Sequence, residues 1–205
     1  MKNSWICDSE SSIVKTPVME IFSREYHSSE DDRKHTFYVL KSKNWCNVIP
    51  ITEDGRIVLV KQYRVGIDTH TLEFPGGVAD EQDATPEVSA MRELAEETGY
   101  ELEPGGKCVS IGSSFTNPAI LNNLHDAFIA GPVKKIREPE LDEGEMIETV
   151  LVRIEEIPEY VKKGLIKHSL MLSSLFLFLM RSNEGEQALT SELQAFLALH
   201  PTPQK

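Results

Sequence analysis

Residues 76–100 read GGVADEQDATPEVSAMRELAEETGY, and the reading of that stretch decides the fold. It opens on a glycine turn, crosses an acidic loop and then becomes helical. Thr85-Pro86-Glu87 is a helix start: a hydroxyl to cap the free amides, a proline at the first helical position and an acid near the positive end of the dipole. Gly99 is the stop. Between these limits Val88, Met91, Leu94 and Ala95 recur at helical spacing and predict one buried stripe. Glu93, Glu96 and Glu97 share another face. Three carboxylates so close repel one another, and a divalent cation removes the repulsion. Hard oxygen donors suit Mg²⁺, with Mn²⁺ as the second choice. The competing reading is a solvated acidic helix face. The upstream glycine turn, and Arg92 beside Glu93, favour the metal site.

Composition bounds the rest. A chain of 205 residues suits one domain with a small N-terminal extension and can bury a substantial core. Hydrophobic and charged shares of 40% and 26% are those of an ordinary globular protein. Acids outnumber bases 33 to 21, a net charge of -12, which argues against nucleic-acid or anionic-membrane surfaces. A phosphate substrate is still compatible, because a bound metal inverts the local sign. Cys7, Cys46 and Cys108 are few, odd in number and widely spaced, so they read as reduced thiols of a cytoplasmic protein. No apolar leader opens the sequence, and the run from 170 to 180 is too short to span a bilayer.

Along the chain, strands are expected at 18–26 and 35–40, joined by a polar turn, and then at 46–51 and 57–63 around Glu53-Asp54-Gly55-Arg56. The latter two are largely apolar and belong in the interior of a sheet. A short strand over 71–74 leads into Pro75-Gly76-Gly77, and further strands are expected at 107–113, 126–130 and 148–154. Residues 131–145 read as a long polar loop. Helices are expected at 157–163, at 169–181 with a wide apolar side, and at 191–200. A mixed sheet with helices on its faces is an α/β/α sandwich.

The stretch from Gly76 to Tyr100 closely resembles the Nudix box, G-x5-E-x7-R-E-U-x-E-E-x-G-U, where U is a bulky apolar residue. Arg92-Glu93-Leu94-Ala95-Glu96-Glu97-Thr98-Gly99-Tyr100 matches its second half. Counted forward from Gly77 the box glutamate falls on Asp83; counted back from Arg92 it falls on Ala84. The loop therefore carries one extra residue, and Asp83 or Glu87 is left to do the missing glutamate's work. GRIVLVKQYRVG, TLEFPGG, Thr116-Asn117-Pro118-Ala119 and Asn122-Asn123 extend the similarity to the ADP-ribose and nucleoside diphosphate sugar pyrophosphatase branch of the Nudix hydrolases. The resemblance covers about residues 45 to 180. Pro-Ala and Asn123 stand where many ADP-ribose hydrolases carry Pro-Gly and Glu.

That resemblance implies a Nudix-type α/β/α sandwich over 45–182, an N-terminal β extension over 1–44 serving as an arm of a homodimer, and a C-terminal tail with a short helix over 183–205. It implies a metal-dependent hydrolase that cleaves a nucleoside diphosphate-linked small molecule at its pyrophosphate. Glu93, Glu96, Glu97 and the Gly76 carbonyl would hold Mg²⁺, and Arg92 would orient the carboxylates. Glu145, with Glu143 close behind, would be the general base. Arg64, Glu73 and Pro118 match positions near the substrate. Solvated or structural roles are equal alternatives for Arg64, Glu73 and either loop glutamate taken alone. Tyr63 and Phe115 could stack on a base but read better as core, and His125 and His168 read as structural. A nucleotide-binding module with a degenerate box is the alternative to an enzyme. An isoprenoid diphosphate isomerase on the same fold lacks its expected Cys and Glu.

Overall fold

The computed structural model describes residues 5–31, 33–80 and 82–181, with positions 184, 185, 187 and 191. The expected helix over 191–200 lies, but for its first residue, outside the described residues. The N-terminal part is a three-stranded antiparallel sheet in the order β1 (Trp5–Lys15), β2 (Glu20–Ser28), β3 (Lys34–Lys41). β2 and β3 match expectation. β1 has no sequence signature, because WICDSESSIVK is almost wholly exposed; it is held to β2 by backbone pairing and by side-chain pairs such as Glu10 with Arg24.

The second sheet holds β4 (Trp45–Thr52), β5 (Arg56–Arg64), β6 (Thr69–Glu73), β7 (Gly76–Val78), β8 (Tyr100–Phe115), β9 (Leu124–Lys135) and β10 (Ile147–Arg153). Its order is β10-β5-β4-β9-β8, with β6 added to β5 and β7 to β4. β4 runs parallel to β9 and the other pairs are antiparallel, so the sheet is mixed as expected. Gly55, at φ +78, turns the chain between β4 and β5. Beyond Ile51↔Ile57, β4 leaves β5 and takes β7 as its partner at 45–47. That change of partner opens the sheet where the glycine turn enters.

Helix α1 (Pro86–Thr98) covers one face, packing Ala90 and Leu94 on Val48, Val58 and Phe128. Helices α2 (Ile157–Lys162) and α3 (Ser169–Leu179) cover the other, where Leu170 and Met171 meet Ile49, Leu59, Phe74 and Ile111. Each such side chain taken from water contributes about 1.5–3 kcal/mol. The α/β/α sandwich expected from the sequence is therefore the fold.

Several local expectations are corrected. The buried stripe of α1 is Ser89, Ala90, Leu94, Ala95 and Thr98; Val88 is 45% exposed. Ser89 and Ala90, both fully buried, take the inward-facing positions, and Val88 stands outward beside them. α3 buries Leu170, Met171 and Ser174 but exposes Leu172, Phe176, Phe178 and Leu179, so its apolar side is only partly covered. Tyr63 and Phe115 are exposed rather than core, Tyr63 donating its hydroxyl to Asp68 Oδ1 at 2.8 Å. The loop expected from residue 131 begins later, because β9 continues to Lys135 by pairing with the start of β8.

The ends of α1 follow the sequence. Thr85 Oγ1 accepts from Val88 N–H at 3.3 Å, and Gly99 takes φ +74 while donating to Ala95 O at 2.9 Å. A Cβ on Gly99 would lie 2.0 Å from the Arg137 carbonyl oxygen. Gly99→Ala combines left-handed backbone strain with that collision and should cost at least roughly 2 kcal/mol, read as a lowered midpoint in urea denaturation.

Candidate active site

The floor of the site is the contact between β7 and α1. A Cβ on Gly76 would stand 2.3 Å from Cys46 O and 2.6 Å from Asn47 Cα, so glycine alone allows this backbone to lie on β4. The Gly76 N–H donates to Glu97 Oε2 at 3.0 Å. A Cβ on Gly77 would be 2.7 Å from Glu93 Oε1. The two glycines thus seat two carboxylates against main chain. Glu97 is only 3% exposed, and burial pushes its carboxyl up to about 8 against the pull of the Gly76 amide; the charges of Glu93 and Glu145 push the same way. Glu93 is also raised, first by burial, with Arg92 opposing.

Arg92 holds three carboxylates. Its Nε donates to Asp83 Oδ2 at 3.1 Å and its Nη1 to Glu96 Oε2 at 2.7 Å, while Nη2 lies 3.1 Å from Glu93 Oε1. Of the two acids left open by the sequence, Asp83 reaches Arg92; Glu87 stays exposed in the first turn of α1. Counting from the glycine end is therefore the correct register, and the extra residue falls between Asp83 and Arg92. Glu96 is drawn toward Arg92, whereas Glu93 and Glu97 lie against the glycine turn.

A cavity of about 760 Å³ opens over this floor and includes Gly76, Gly77, Arg92 and Glu93 in its lining. Arg64 and Glu73 line it together, bound to each other: Arg64 Nε donates to Glu73 Oε1 at 2.8 Å and Nη2 to Oε2 at 2.6 Å. Glu73 is 1% exposed, so it is no solvated strand end. Burial would raise its carboxyl, but hydrogen bonds from Arg64 and Thr71 hold it below the usual range.

The acidic loop is fastened before it reaches the site. Ile136 and Arg137 N–H both donate to Gly99 O, and Glu140 N–H to Glu96 O at 2.7 Å. A turn follows in which Glu145 N–H donates to Asp142 O and Asp142 N–H to Glu145 Oε2, each at 3.0 Å. Glu145 is half-buried and its charge reaches Arg64, Glu93 and Glu97; Glu143 is exposed. Pro118 sits exposed on a surface turn and is not part of the cavity lining. Its loop instead ties down the N-terminal sheet, Leu40 N–H donating to Ile120 O at 2.8 Å and Asn123 Nδ2 to Lys43 O at 2.9 Å.

Lys43, Trp45, Asn47 and Asp142 also line the cavity and were not marked by any local pattern. His168 Nδ1 accepts from Leu170 N–H at 3.2 Å, capping α3. His125 is 1% exposed, and neither ring nitrogen has a hydrogen-bond partner among the described residues. Burial, aided by His168, pushes it down to about 4.

Glu93, Glu97 and Glu145 form a set of mutually repelling oxygen donors, one of them buried, which is the chemistry a small divalent cation relieves. Among the described residues, no three His, Cys, Asp or Glu side chains already stand in metal-binding geometry. The carboxylates that could hold an ion are thus close and electrostatically linked, and Arg92 keeps Glu96 to one side.

A family model described as the NUDIX domain matches residues 43–171. An ADP-ribose pyrophosphatase of Bacillus subtilis (strain 168) is 32% identical over 125 residues, 60% of this chain and 65% of the relative. A methanol dehydrogenase activator of Bacillus methanolicus is 35% identical over 123 residues, 60% of this chain and 64% of the relative. The chain thus spans just under two thirds of the length of these curated relatives. A solved ADP compounds hydrolase shares the fold at a TM-score of 0.75 and 17% identity, with 86% of this chain and 92% of that one covered.

Buried neutral His125 makes stability depend on pH. Unfolded, it takes a proton below its ordinary 6.5; folded, only near 4. Its contribution is complete above pH 6.5 and is lost as pH falls through that window, by up to about 3 kcal/mol. Chemical denaturation of His125→Gln between pH 7 and pH 4 should show a shallower loss of stability than the parent chain.

Proposed function

The chain belongs to the NUDIX domain family, and from that premise we propose that it is a metal-dependent hydrolase that cleaves the pyrophosphate bond of ADP-ribose or a nucleoside diphosphate sugar. Water is consumed, and a nucleoside monophosphate and a sugar phosphate are released. The observation that supports this reading is the seating of Glu93 and Glu97 on the glycine turn, with Glu93 and Arg64 lining one cavity and the charge of Glu97 acting on Arg64. Acid donors for a cation and a guanidinium for a phosphate are what a pyrophosphate needs at its two phosphoryl groups.

Glu93 and Glu97, with Glu96 and the Gly76 carbonyl completing the set implied by the box, would hold Mg²⁺ or Mn²⁺. Bound there, the ion neutralises charge on the pyrophosphate and makes a water more acidic. As a ligand Glu97 would have to be deprotonated, which its burial opposes in the absence of a cation. Glu145 is the preferred base for the attacking water, because its charge already reaches Glu93 and Glu97; Glu143 is the second candidate. Arg92 holds Glu93 and Glu96 in place. Pro118, outside the cavity, has no part in this reading.

The binding-module alternative rests on the missing box glutamate and the extra loop residue. Asp83 at 3.1 Å from Arg92 takes over that contact, which favours the enzyme. We further propose a cytoplasmic homodimer joined through residues 1–44. Edge strand β1, with exposed Ile6, Ile13 and Val14, has no strand on its outer side among the described residues and so offers its backbone to a second copy; the three free cysteines suit a reducing compartment. No described helix is long and apolar enough to cross a membrane.

Glu97→Gln should lower kcat on ADP-ribose with Mg²⁺ by roughly 10³-fold while the melting temperature holds or rises, since a strained buried carboxyl is removed. Full turnover in that variant would exclude Glu97 from the reaction. Light scattering should give twice the chain mass, and a monomer would remove the arm.

A further inference from the structure

We propose that Glu73 is a positioning residue, gripping one edge of the Arg64 guanidinium so that the opposite edge stands preformed for a phosphoryl oxygen. This rests on the cavity being the pyrophosphate site. In the β5–β6 register Val60 faces Glu73, Gln62 faces Thr71 and Arg64 faces Thr69, which puts Arg64, Thr71 and Glu73 on one face of the hairpin. Both Glu73 oxygens are engaged by Arg64, at 2.8 and 2.6 Å, and Oε1 also accepts from the Thr71 hydroxyl. With the carboxylate 1% exposed and its hydrogen bonds directed to Arg64 and Thr71, it is poorly placed to touch substrate itself. Arg64, by contrast, keeps 39% of its side chain exposed, and its Nη1 lies on the edge away from the Nε–Nη2 pair.

The reason for such a clamp lies in what else attracts Arg64. Glu97 and Glu145 both act on its charge, after Glu73. A free guanidinium beside those acids would close on them, using up the cation and the carboxylates in one ion pair. Glu73, its carboxylate out of water, holds it by two charge-assisted hydrogen bonds. The positive and negative halves of the site thus stay apart, with room between them for a diphosphate.

The test exploits a difference in sign. Inorganic pyrophosphate is titrated calorimetrically, without metal, into the parent chain and into Glu73→Gln. Charge alone predicts tighter binding when an acid is removed. Positioning predicts weaker binding, by about tenfold, because Arg64 is released. Thr71→Val, which keeps the charge and removes one support, should weaken binding in the same direction and by less, and guards against misfolding of the first variant. With ADP-ribose and Mg²⁺, Glu73→Gln should lower kcat/KM at least tenfold in the parent chain but less than twofold in an Arg64→Ala background. Tighter or unchanged pyrophosphate binding, or an equal loss in both backgrounds, would overturn the proposal. A parent chain that binds pyrophosphate but hydrolyses no nucleoside diphosphate compound would sink the proposed function while the titration still decides the role of Glu73.

Discussion

A missing side chain at position 76 sets the geometry of the site. Because nothing projects from Gly76, the turn lies on β4 and its amide meets Glu97. Burial of a carboxylate so close to main chain is unfavourable in isolation, as its raised pKa records. The fold supports it through the rest of α1, where Leu94 and Ala90 pack on the sheet and Thr85 and Gly99 close the ends. The apolar stripe supplies stability, and the acidic face spends some of it. Such local conflict is expected where a protein must bind charge.

Around that contact the other charges are arranged by restraint. Arg92 collects Asp83, Glu93 and Glu96, which keeps the outer carboxylates from drifting. Arg64 is held by Glu73 through a two-point ion pair. The two arginines therefore divide the labour: one stiffens the helix face, the other stands over the cavity with one edge engaged. Both pairs lie partly out of water, where breaking one partner costs more than making the pair gains.

The α1 helix was legible because its signals are local: cap, proline, stop glycine and carboxylate spacing all fall within one short stretch. The central strands were legible from apolar runs bounded by Asp-Gly. What the sequence could not show depends on register in three dimensions. Whether Asp83 or Glu87 meets Arg92 turns on the path of a loop. That Glu73 pairs with Arg64, rather than facing solvent, follows from hairpin pairing across residues nine apart. Trp45 and Lys43 join the cavity because β4 changes partners beside them, an event without local signature. β1 has no signature for the converse reason, since its exposed side chains carry no apolar alternation and only pairing with β2 reveals it.

The backbone bonds that fasten 136–140 to the end of α1 have a consequence for variation. Gly99 O and Glu96 O are fixed points on the same helix that carries the acids, and β10 resumes at Ile147. Between them, residues 141–146 bridge from α1, where Glu140 N–H is bonded to Glu96 O, to β10 on the sheet. Glu145, the preferred base, stands in that span, so its carboxylate is carried on a bridge tied to the helix that holds the other acids. A change in the length of this bridge would therefore move the base relative to Glu93 and Glu97, whereas a change at its exposed positions, such as Leu141, would leave that spacing alone.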